Sequence, residues 1–205
     1  MANATSASMQ DLPRTEIKQT EFGEALFTVD AVPAGTVILS FDLDPMHVHP
    51  SPTRFSVQVD KDKHLDTPGA LFQWLQHQEE PSLRADTGEK LNFIAVRDME
   101  AGELLSFNYN TTEWSMATPF TCGMSGIEVS GFSTLELSKQ RYLASEGLIV
   151  PHVYTLWREQ KQAKDAARMA TIVDAWKLDR ARAAGGRERA WSLEATGPSG
   201  GDWYA

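Results

Sequence analysis

The chain has 205 residues, 41% of them hydrophobic, which is enough for one full core and too little for two ordinary domains joined by long linkers. A formal net charge of −9, a pI near 5.0 and the absence of any long Lys/Arg run argue against phosphate-backbone binding, so nucleic acid is not an expected partner. The lone Cys122 excludes an internal disulfide and any site built from several thiolates; it fits a reducing compartment and leaves no zinc-cysteine cluster to be expected.

The first ten residues are polar and small, without the basic stretch and apolar core of a secretory signal, and no window is apolar for long enough to span a bilayer. A soluble intracellular protein, cytoplasmic by default and without a membrane partner, is expected. Residues 1–14 read as a disordered arm, because they hold too little apolar surface to offset the entropy of ordering, and order is expected from near Thr15. Residues 25–41 predict two short apolar strands around the turn residues Asp30, Pro33 and Gly35, in a hairpin-like arrangement. Residues 55–59 alternate apolar and polar, the period of a half-buried strand, and 60–62 supply a turn. Between Pro68 and Pro81 the spacing of Leu71, Trp74 and Leu75 predicts a short helical or irregular turn. Residues 92–97 and 104–109 flank a turn at 98–103, which predicts a second strand, turn, strand unit.

After Ser133 the composition shifts to strong helix formers, and Pro151 divides two predicted helices. In the second, Val153, Leu156, Trp157, Ala163, Ala167, Ala170, Ile172 and Trp176 approximate one apolar stripe, which makes this helix a possible interface. Trp157 and Trp176 within it read as core or interface rather than as a ligand cage. Residues 184–205 are glycine-rich toward the end and predict a flexible tail in which only Trp203 and Tyr204 could dock. The domain organisation is then an arm at 1–14, a β-rich domain at 15–132, a helical extension at 133–183 and a tail at 184–205.

Four segments in order resemble blocks of the SET-domain family: FGEALFTVDAVPAG, SVQVDKDKHLDTPGALFQWLQHQEEPS, NFIAVRDMEAGELLSFNY and NTTEWSMATPFTCGMSGIEVSGFSTL. The third is the closest, matching an apolar strand, Arg-Asp-x-x-x-Gly-Glu and a terminal tyrosine. The resemblance implies an α+β fold, a SET-type β-fold with a pseudoknot followed by C-terminal helices. It also implies S-adenosylmethionine as cofactor, methyl transfer as activity and a protein lysine or small nucleophile as substrate. In the family the second block threads through a loop formed by the segment leading to the tyrosine, so Gln76 and His77 should lie beside Tyr109. Carried over, Gly23, Glu24 and Ala25 face the methionine part of the cofactor, Gln76 and His77 its adenine, and Tyr109 orients the substrate. Methyl transfer chiefly needs two partners held in line, so a phenol and backbone carbonyls can suffice, and orientation suits Tyr109 better than proton abstraction.

The chain departs from the family at chemistry-bearing positions. Asn-His-Ser-Cys-x-Pro-Asn is here Gln76-His77-Gln78-Glu79-Glu80-Pro81-Ser82, the second glycine of the first block is Ala25, and the zinc cysteines of the last block are reduced to Cys122. Glu79, at the cysteine position, is a third candidate catalytic group beside Tyr109 and His77. Three functions stay open: methyl transfer, a small-molecule cyclisation or isomerisation in a specialised pathway, and a non-catalytic scaffold whose C-terminal helix binds a partner. His47 and His49 share the period-two spacing of one strand face, but no third ligand is near, and no metal is expected there. Gly123-Met124-Ser125-Gly126 lacks the glycine spacing of a nucleophile turn.

Overall fold

The structure, a computed structural model, describes residues 12–194. Residues 1–11 of the expected arm and the tail from 195 onward, with Trp203 and Tyr204, lie outside the described residues. The fold is mixed β and α, with short strands first and helices last. In chain order the strands are β1 (Thr15–Thr20), β2 (Gly23–Thr28), β3 (Val37–Asp42), β4 (Val48–His49), β5 (Val57–Asp60), β6 (Lys63–Leu65), β7 (Gln76–His77), β8 (Leu83–Thr87), β9 (Lys90–Ala95), β10 (Ser106–Phe107), β11 (Phe120–Thr121) and β12 (Glu128–Val129). The helices α1 (Leu137–Ser145) and α2 (Pro151–Glu194) follow, and short 3-10 turns occupy Leu71–Trp74, Tyr109–Thr111 and Phe132–Thr134.

These strands make five small sheets among the described residues: β1-β2, β3-β9-β8, β4-β6-β5, β7-β10 and β11-β12. All pairs are antiparallel except β7-β10, which is parallel, with Gln76 opposite Ser106 and His77 opposite Phe107. Strand β9 sits centrally in its sheet, and its Leu91, Phe93 and Ala95 alternate into the core beside Ile38 and Leu39 of β3. Aromatic edges lock the layers together: Phe93 meets Phe107 at 5.0 Å, and Phe41 meets Phe72 at 4.9 Å.

The expected strands are present, but their pairing differs. The two strands within 25–41 do not form a hairpin: β2 pairs with β1, whose polar sequence TEIKQT gives no apolar alternation, and β3 pairs with β9. Likewise 92–97 and 104–109 do not pair with each other, since β10 lies against β7. Pairing across such distances depends on which buried faces match, and local turn residues do not determine it. His47 lies in a turn before β4, with its N–H donated to the Asp44 carbonyl, so it does not share a strand face with His49.

The described residues fall into two compact units divided between Trp157 and Arg158. In the first, Pro151 occupies the first turn of α2, where its missing N–H costs nothing. Val153 is fully buried, and Trp157 meets Phe132 edge-on at 6.2 Å. In the second, α2 continues to Glu194 through Gly185 and Gly186, where the sequence predicts the start of the tail. Met169, Ile172, Val173 and Trp176 recur at helical spacing there and are exposed, with the Arg180 guanidinium 4.7 Å from the Trp176 ring centre. No helix among the described residues is long and apolar enough to cross a membrane.

Candidate functional site

The site is organised by the β7-β10 pairing. Because these strands run parallel and in register, the residues just beyond them, Gln78 and Asn108, leave the sheet side by side, and Tyr109 begins its 3-10 turn directly beside His77. The Tyr109 N–H donates to Nδ1 of His77 at 3.2 Å, and the two rings meet edge to face at 5.2 Å. The Tyr109 ring also packs on Phe107 at 4.6 Å, and its hydroxyl donates to the carbonyl of Leu75, the residue preceding β7. The expected proximity of Gln76, His77 and Tyr109 is therefore present in the structure.

Tyr109 borders two clefts. One, about 230 Å3, is lined by His77, Phe120, Cys122 and Met124 and is continuous in its lining with a neighbouring cleft of about 390 Å3 through Phe22, Gln76 and Met124. The other, narrow and about 70 Å3, lies beneath residues 53–57 and is walled by Phe55, Phe72, Phe107 and Tyr109, with Glu113 also lining it.

Electrostatics assign the protonation states. Burial pushes His77 down to about 4, with Glu79 opposing and Lys139 adding to the shift, so the ring is neutral near pH 7. Since Nδ1 accepts a backbone N–H, the proton of the neutral ring belongs on Nε2. That atom is buried and has no partner among the described residues. Burial raises the Tyr109 phenol above its ordinary value, and Cys122 and Glu113 raise it further, so it remains protonated. Burial alone pushes the Cys122 thiol up, but the Ser125 hydroxyl and the N–H groups of Ser125 and Met124 outweigh it and leave the thiol below its usual range. Burial pushes Glu113 up to about 7 against hydrogen bonds from Gln58 N–H and the Thr112 hydroxyl.

The remaining predicted residues separate into two groups. Ala25 is fully buried on β2 and lines the larger cleft with Gln76. The Gln76 side-chain amide, however, donates to the Glu24 carbonyl at 3.1 Å, and Trp74 Nε1 donates to the Glu24 carboxylate at 3.3 Å, so these polar groups tie β2 to the 71–77 segment. Gly23 lies at the turn from β1, where its φ of 108° suits glycine, and it lines neither cleft. Glu79 is exposed and pairs with Lys139 of α1 at 3.1 Å, which corrects its expected place at the pocket. Its neighbour Gln78 reaches back instead, its Oε1 accepting from the Ser106 hydroxyl at 2.6 Å.

Sequence reasoning missed Glu113, Phe120 and the Leu75 carbonyl. Glu113 carried one signal: an acid between Thr112 and Trp114, directly after the best-matched block. The Gly123-Met124-Ser125-Gly126 segment forms the turn joining β11 and β12, and it brings Met124 and Cys122 over the cleft. No protein-family model matches the chain, and no curated protein matches it.

Proposed function

We propose that the chain is a diverged SET-type enzyme that transfers a methyl group from S-adenosylmethionine to a lysine side chain or a small nucleophile, with the pseudoknot of that family formed where the 76–78 segment runs beside 106–109. The observation that carries this reading is the place of Tyr109, whose hydroxyl is tied to the Leu75 carbonyl while its ring borders clefts on two sides. A donor bound in one cleft and an acceptor entering from the other would meet at that phenol.

The residues present fit the cofactor. The two connected clefts offer room for an extended molecule, the orphaned Nε2–H of His77 asks for an acceptor such as a ring nitrogen, and Phe22 and Phe120 supply apolar faces for a flat base. Ala25, Gln76 and His77 are the predicted contacts that line these clefts. When bound, the sulfonium supplies an electrophilic methyl group. The protein's own part is positional: Tyr109 stays a neutral phenol, its proton is spent on Leu75, and its oxygen lone pairs are left to orient a reacting group.

A second reading, a cyclisation or isomerisation of a small molecule in these clefts, is favoured by Gln76, whose amide is spent on the Glu24 carbonyl. Calorimetric titration with S-adenosylmethionine and with its demethylated product separates the two. Saturable binding that weakens in His77→Ala supports methyl transfer, and no saturable binding to the folded protein removes it.

A further inference from the structure

Beyond Arg158, helix α2 presents four large apolar side chains to solvent: Met169, Ile172, Val173 and Trp176 are 57%, 51%, 41% and 59% exposed. At about 100° per residue they share one face. Two charges stand in line with that face, Asp165 about one turn before Met169 and Arg180 about one turn after Trp176. The Arg180 guanidinium lies 4.7 Å from the Trp176 ring centre, which holds it along the stripe. Other polar contacts of this stretch lie off the stripe: Lys177 pairs with Asp174 at 3.3 Å, Lys164 donates to Gln160 at 3.3 Å, and the Thr171 hydroxyl donates to the Ala167 carbonyl at 3.1 Å. Leu178 is also exposed but stands on the opposite face. Helices gain most of their stability from packing an apolar face, so a stripe of this kind calls for an occupant.

We propose that the occupant is a second copy of the same helix, crossing it antiparallel with Ile172 of one copy against Val173 of the other. That single register places every group of the stripe opposite a complement. Met169 meets the second copy's Trp176, a sulfur-aromatic contact formed twice by symmetry. Asp165 meets the second copy's Arg180, an ion pair also formed twice. A parallel pair would instead set Asp165 against Asp165 and Arg180 against Arg180, like charges at both ends of the apolar stretch. The charge order along the helix therefore selects the antiparallel arrangement.

The same two charges argue against an anionic lipid surface as the occupant. A helix lying on such a surface buries its apolar face and keeps cations on its polar side. Here a carboxylate, Asp165, is in line with the apolar face, and the polar side carries acids as well, with Asp174 already paired to Lys177. The surface shares no residue with the clefts that Tyr109 borders, so self-association and ligand binding are separate properties of the chain.

Sedimentation equilibrium of the full chain should give about twice the 22.7 kDa mass of one copy at a concentration of about 100 µM. Asp165→Arg and Arg180→Asp, made singly, each replace two attractions by two repulsions and should weaken the dimer about ten-fold or more. The double variant restores opposite charges with their signs exchanged and should return to within about three-fold of the parent. Only an antiparallel pair predicts that rescue. Trp176→Ala removes an exposed ring without touching a packed core and should also give a monomer, with the melting transition of the body unchanged. A monomeric parent, single charge variants that dimerise as tightly as the parent, a double variant weaker than both singles, or an unchanged dimer in Trp176→Ala would each overturn the proposal. So would a monomeric parent that co-sediments with phosphatidylserine vesicles, which would assign the stripe to a membrane surface.

Discussion

The backbone N–H of Tyr109 donates to Nδ1 of His77 at 3.2 Å, and this one bond sets the tautomer of a ring whose other nitrogen is buried without a partner. A histidine held neutral in this way ties stability to acidity. Its folded value of about 4 lies below the ordinary 6.5, so the unfolded chain binds the proton first as pH falls. The stabilisation is full above about 6.5 and is lost as pH falls toward 4, by about 3 kcal/mol at most for this ring. Asparagine at this position offers an oxygen to the Tyr109 N–H but does not titrate. Urea midpoints of His77→Asn should therefore fall less steeply than those of the parent between pH 6.5 and pH 4; parallel declines would show that the ring is not held neutral.

Tyr109→Phe keeps the ring contact with Phe107 and removes the hydroxyl that donates to the Leu75 carbonyl. Leaving that carbonyl short of a donor should cost about 1 kcal/mol, read from equilibrium denaturation. If the phenol also orients a reacting group, turnover should fall by a factor on the order of a hundred while binding of the cofactor changes little. Unchanged turnover with the expected stability loss would leave Tyr109 a structural residue.

Local composition carried the strands, the breaks at Pro68 and Pro151 and the order of β before α, because each depends on neighbours within a few positions. Pairing was less legible. Strand β1 offers no apolar alternation, and its burial pattern shows why: it is an outer strand whose middle four residues are exposed, so packing leaves no mark on its sequence. The meeting of His77 with Tyr109 became an expectation only through the family resemblance, since 32 positions separate them and no periodicity links them. Glu79 and Glu113 show the opposite failure. Both are acids in polar-looking stretches, yet one pairs with Lys139 on the surface and the other is buried behind a cleft, a difference made by the long-range contact of Glu113 with β5.

Gly131 is a site where no side chain should be tolerated. Its φ is 106°, and a Cβ there would stand 2.8 Å from both the Ser115 Cα and the Trp114 carbonyl oxygen. Both obstacles are backbone, so neither can swing aside. Its N–H donates to Asn110 Oδ1 at 3.1 Å, and the next residue's N–H donates to the Glu113 carbonyl at 2.8 Å, so a shift would also disturb the segment that carries Glu113. Gly131→Ala should lose about 3 kcal/mol or more, from strained φ and overpacking together. Gly123→Ala is the comparison: its Cβ would meet the ring of Phe22, a half-exposed side chain that can rotate, and its loss should be smaller. Equal midpoints for Gly131→Ala and the parent would show that the close crossing of these backbones is not a constraint.

Glu113 should give the pH response opposite in sign to that of His77. Its folded value of about 7 lies above the ordinary 4.5, so as pH rises the unfolded chain ionises first while the folded chain still holds its proton. Stability from this group is therefore full below about 4.5 and is lost as pH rises through 7, by about 3 kcal/mol when the loss is complete. Glutamine does not titrate and keeps an acceptor for the Gln58 N–H, so Glu113→Gln should be close to the parent at pH 4 and more stable than it at pH 8. The histidines affect parent and variant alike and cancel in the difference. The measurement is a pair of urea titrations at each pH. A parent that instead gains on the variant as pH rises would mean that folding favours the carboxylate, as it would if a protonated His64 faced it across their 3.9 Å gap, and the neutral acid inferred for the narrow cleft would then be wrong.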